Sequence, residues 1–72
     1  MRSIDQHAST NLAELRIRAG HSQRSLGRAA RVSPRTIANA EHDSVPTIDV
    51  QIRIAAVLDV DRFDIWPIRI AA

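Results

Sequence analysis

The stretch Gln23 to Glu41, QRSLGRAARVSPRTIANAE, constrains the rest of the chain most severely. Leu26, Ala29 and Ala30 recur at helical spacing in its first half, and Ile37 and Ala40 do so in its second. Between them, Arg31-Val32-Ser33-Pro34 reads as a stop and a restart. Ser33 can cap a second helix by accepting a backbone N–H, and Pro34 at the first helical position gives up only a donor that would be orphaned anyway. A turn this short makes two helices cross steeply. Steep crossing needs small residues where the helices approach. Gly27 and Ala30 supply them, and Val32 in the turn is the natural plug.

Seventy-two residues make one domain, near the lower limit for a core without staples. The chain has no cysteine, so helix packing must hold it together without disulfides or thiolate-bound metal. An apolar fraction of 44% suits a folded domain. No run of about 18 apolar residues suggests a membrane span, and no apolar leader opens the chain; a cytoplasmic protein is expected. His7, His21 and His42 are scattered without metal-ligand spacing. No Gly-rich phosphate loop, no nucleophile with a base and no cluster of carboxylates on one face is seen. These features argue against an enzyme and give no sign of a cofactor, metal or small-molecule ligand. All ten basic residues are arginine. Residues 1–42 hold seven of them against three acids, and residues 43–72 hold three against five. A polyanion is drawn to the first half.

Residues 1–9 lack periodicity and read as a flexible arm, with residues 10–66 as the folded domain. A first helix is expected over Thr10–Ala19, with Asn11 and Glu14 as a capping box, Leu12, Leu15 and Ala19 as its stripe, and Gly20 as its stop. Arg16 and Arg18 suit the macrodipole there, or contact phosphate. Ser22 caps a second helix, Gln23–Ala30, on which Arg24 and Arg28 share a face. A third helix runs Pro34–Glu41, buried at Ile37 and Ala40. His42–Pro46 is a loop, and Thr47 caps a fourth helix ending at Leu58. Ile48, Ile52, Ala55 and Leu58 form its expected core stripe. Val50, Ile54 and Val57 form a second stripe, either deeply buried or covering a partner. Asp61 caps a last helix from Arg62 to Ile65 or Trp66. Phe63 and Trp66 anchor the core or an interface. Residues 67–72 form a tail. In it, Ile68-Arg69-Ile70 alternates like a minimal strand that could pair with its copy across a two-fold axis; a packed coil is the alternative.

From Leu12 to about Trp66 the chain resembles the helix-turn-helix family of Xre, Cro and phage (lambda-type) repressors. The resemblance is carried by Gln23, the Leu26-Gly27 pair, the Val32-Ser33 turn, Ile37 and Glu41. It departs at Arg31, where the family most often has Gly at φ > 0, and at Ala40, where a bulky residue is common. The resemblance implies an all-α, compact five-helix lambda repressor-like domain whose third helix enters the major groove of double-stranded DNA. It further implies that Ser33, Pro34, Arg35, Thr36 and Asn39 face DNA. Gln23 and Thr36 touch phosphate, and His42 and Ser44 lie along the backbone. On that placement Arg24 is a phosphate contact. Arg35 can bond guanine O6 and N7, Asn39 adenine N6 and N7, and Ala38 a thymine methyl.

The expected function is a sequence-specific transcriptional regulator, a small Cro-like phage-type repressor. As a homodimer it would cover two half-sites about 34 Å apart and occlude a promoter. Dimer contacts are expected at Val50, Ile54, Val57, Trp66, Ile68 and Ile70. An antitoxin, or an adaptor that uses the same fold for protein contact, is the alternative.

Overall fold

The computed structural model describes residues 10–42 and 44–67. The proposed arm 1–9, Asp43, and the Ile68-Arg69-Ile70 segment lie outside the described residues. Five helices follow one another: α1 (Leu12–Arg18), α2 (Gln23–Ala30), α3 (Pro34–His42), α4 (Ile48–Leu58) and α5 (Arg62–Ile65). None of the described helices is long and apolar enough to cross a membrane.

Short polar side chains start these helices. The Ser22 hydroxyl accepts the Ser25 N–H, and the Ser25 hydroxyl in return accepts the Ser22 N–H. Ser33 Oγ accepts the Thr36 N–H at 3.1 Å, which leaves Pro34 at the first helical position where its missing donor is not needed. Thr47 caps α4 and Asp61 caps α5. Helix α1 differs from expectation. Asn11 has φ −86° and ψ 16°, outside the extended conformation a cap requires, and makes no capping bond. Thr10 takes the role instead: its hydroxyl accepts the Leu12 N–H and donates to the Ala40 carbonyl, tying the start of α1 to α3. Glu14, free of the expected box, pairs with Arg18 one turn on.

Three of the helices end alike. In α1, α2 and α4 the chain turns left-handed at Gly20, Arg31 and Asp59, with φ of 83°, 64° and 58°. The amide of that residue and the amide after it return to the last turn of each helix. In α2, for example, Arg31 N–H bonds Arg28 O and Val32 N–H bonds Gly27 O. Glycine takes this conformation freely. An arginine pays about 1–2 kcal/mol for it.

The core is small. Leu12, Leu26, Ile37 and Ile54 are fully buried, joined by Ala30, Ala40, Ala55, Ile65 and Trp66. Helix α2 packs on both α3 and α4, α1 packs on α3, and α5 closes over α4. Helix α4 is rotated relative to the sequence reading. Gln51, Ile54 and Ala55 face inward, while Ile48 and Ile52, expected in the core, are 58% and 52% exposed. Ile54 and Trp66, expected at a dimer contact, are core residues. Val50 and Val57 are half-buried against that core. The rotation has a polar cause. Gln51 is buried with both ends of its amide bonded, donating to the Pro46 carbonyl at 2.9 Å and accepting from Arg62 Nη1 at 2.8 Å. Burying a satisfied amide costs little, so α4 can turn its glutamine inward and leave two isoleucines outside.

Candidate nucleic-acid interface

The crossing of α2 and α3 rests on Gly27. An added Cβ there would stand 2.7 Å from the Val32 carbonyl oxygen, 3.3 Å from Pro34 N and 3.4 Å from Ser33 C. All three are backbone atoms of the turn, which cannot rotate aside as a side chain could. Alanine inside a helix normally gains up to about 1 kcal/mol over glycine. Here the sign is expected to reverse. Gly27→Ala should lose about 1–3 kcal/mol, read as a lower urea midpoint with an unchanged slope. A raised midpoint would mean that the turn is not in contact with α2.

The second fixture is Glu41, 8% exposed near the end of α3. Its carboxylate accepts from Arg16 Nε in an ion pair, from Arg16 Nη2 at 3.4 Å, and from Gln23 Nε2 at 3.0 Å. Arg16 Nη1 also donates to the His21 carbonyl at 2.9 Å. One carboxylate therefore joins α1, the entry to α2 and the end of α3. Arg16 is committed to this contact, where the sequence suggested a helix-end cation or a phosphate ligand. Twenty-five residues separate it from Glu41, and no local signal links them.

Around these fixtures the sequence-predicted positions fall into place as follows. Ser33, Pro34, Arg35 and Asn39 are exposed along the outer side of α3, with Thr36 and Ala38 half-buried at its margin. The Ser33 and Thr36 hydroxyls hydrogen-bond each other at 2.9 Å, so both are partly engaged in the cap. Gln23 is half-buried and held by Glu41, and Arg24 is exposed one residue further on. His42 and Ser44 are exposed beyond α3, but the Ser44 N–H is bonded to the Asn39 carbonyl and is not free for an anion.

The arginines divide in two. Among the described residues, Arg16, Arg18 and Arg53 pair with carboxylates and Arg62 bonds Gln51. The side chains of Arg24, Arg28, Arg31 and Arg35 make no ion pair or hydrogen bond to another described residue, and all four are exposed. They sit on α2, the turn and α3 alone. Among the described residues, the arginines outside the two-helix unit are each held by a carboxylate or by the Gln51 amide, and those of the unit are not. Exposed guanidinium and carboxamide groups that no described residue holds suit the anionic, hydrogen-bonding surface of a duplex.

No curated protein is detectably similar to the chain. Residues 12–65 match the family of helix-turn-helix domains, an Xre/Cro-like class of DNA-binding regulators. That span contains all five helices and both fixtures of the α2–α3 unit, and the chain belongs to this helix-turn-helix family.

Proposed function

We propose that this DNA-binding domain is a small Cro-like repressor that acts as a homodimer covering two related half-sites and blocking a promoter. On this reading it works in the cytoplasm of a bacterial or phage-infected cell. Arg35 and Asn39 read base edges from α3, with Ser33, Pro34 and Ala38 lining the approach. Gln23, Arg24, Thr36, His42 and Ser44 hold the flanking phosphates. The observation that carries this reading is that, among the described residues, the arginine side chains without an ion pair or hydrogen bond are the four of the α2–α3 unit. A protein-contact adaptor has no need to hold four exposed guanidinium groups on one motif. Apolar surface for a subunit contact remains on α4, where Ile48 and Ile52 are exposed.

The test is binding to duplexes selected from a random pool, followed by Arg35→Ala on the selected site and on unrelated sequence. A two-fold symmetric consensus is expected. Arg35→Ala is expected to lose about 1–3 kcal/mol on that consensus and to relax base preference at one position. An equal loss on every sequence would reduce Arg35 to a backbone contact, and an asymmetric single half-site would remove the dimer.

A further inference from the structure

The left-handed residue between α2 and α3 is an arginine, and its side chain has no structural task among the described residues. Arg31 takes φ 64° and ψ 44° and is exposed. Its backbone is fully occupied. The N–H closes α2 on Arg28, and the carbonyl accepts from Arg53 Nη1 at 3.3 Å. Arg53 is in turn anchored by Asp49 at 3.0 Å. Glycine would make the same backbone bonds without strain, since none of them uses the side chain. Asp59 offers the comparison at the end of α4. It also has positive φ, but a short acidic side chain tolerates that conformation better than a long one does. Arg31 has no such compensation. What distinguishes it is position: it lies two residues before the cap of α3, in series with Arg24, Arg28 and Arg35, which no other described residue pairs.

We infer that Arg31 binds a backbone phosphate of the duplex at the edge of the groove that α3 enters. It is an affinity anchor that reads no base. The inference rests on the DNA-binding reading of α3 and deepens it. A residue kept in a strained conformation for a ligand makes stability and binding respond in opposite directions when it is replaced.

Arg31→Gly and Arg31→Lys separate the possibilities, each measured by thermal unfolding and by a salt titration on both the selected site and random duplex. For Arg31→Gly the midpoint is expected to rise by about 4–8 °C while affinity falls roughly 3–10-fold on both duplexes. The slope of log affinity against log salt is expected to shrink by about one. Arg31→Lys, which keeps the charge, is expected to keep the slope. A stabilised glycine variant with unchanged affinity and slope would overturn the inference. So would a loss confined to the selected site, because that marks a base contact. A wild-type chain that binds no duplex would overturn the repressor reading and this inference together; wild-type binding with an indifferent glycine variant overturns this inference alone.

Discussion

Glu41→Ala is expected to lose about 3–5 kcal/mol of folding stability, the cost of breaking a buried pair from one side. The loss goes beyond the missing contacts. The Arg16 side chain is only 13% exposed, and without Glu41 its guanidinium keeps one carbonyl partner and no counter-charge. Gln23 loses its brace in the same stroke. A domain of this size is held by roughly 4–11 kcal/mol in total. The variant should therefore stand close to its unfolding midpoint without denaturant, visible as a broad loss of helical circular dichroism on mild warming. A urea-measured loss below about 1 kcal/mol would show that water shares the pair, as it does for surface ion pairs.

Ile54→Ala is expected to lose about 2–5 kcal/mol, the range for deleting three carbons from a packed site. Ile54 is fully buried, on the helix that packs against both α2 and α5. The loss is expected to be independent of protein concentration, because the side chain lies inside one chain. A midpoint that falls further on dilution than that of the wild type would return Ile54 to a subunit interface. Ile52→Ala, one turn-half earlier and 52% exposed, is the control. It should change the monomer's stability by no more than about 0.5 kcal/mol.

The difference between these two isoleucines also shows where sequence reading succeeds and stops. Helix α2 has the residue bounds the pattern predicts, and Ser22, Ser33, Thr47 and Asp61 cap as expected. Those signals are local, because a hydroxyl or carboxylate and an amide two or three residues on suffice to stop and start a helix. Helix α4 has apolar residues around most of its circumference, so periodicity could not choose its inner face. The choice depends on Gln51 finding Pro46 and Arg62, partners that no spacing rule identifies. The Arg16–Glu41 pair eluded the sequence for the same reason. Thr10 displaced Asn11 as the cap of α1 through a bond to α3, which only the folded arrangement supplies. Of the candidate interface, the exposure of Ser33, Pro34, Arg35 and Asn39 along α3 was legible once the turn was placed. That Arg16 is spent, while no described residue pairs Arg24, Arg28, Arg31 or Arg35, was invisible, because it depends on which acids lie within reach.

The carboxylate that clasps three helices has a further consequence for recognition. Swivelling α3 against α1 and the entry of α2 would require pulling apart a desolvated charge pair and the glutamine bond beside it, so the protein offers DNA a stiff tool with almost no freedom to adjust its bite. Accommodation is left to the double helix. Steps that kink or narrow easily, even where no side chain reaches them, then help decide which sites are held.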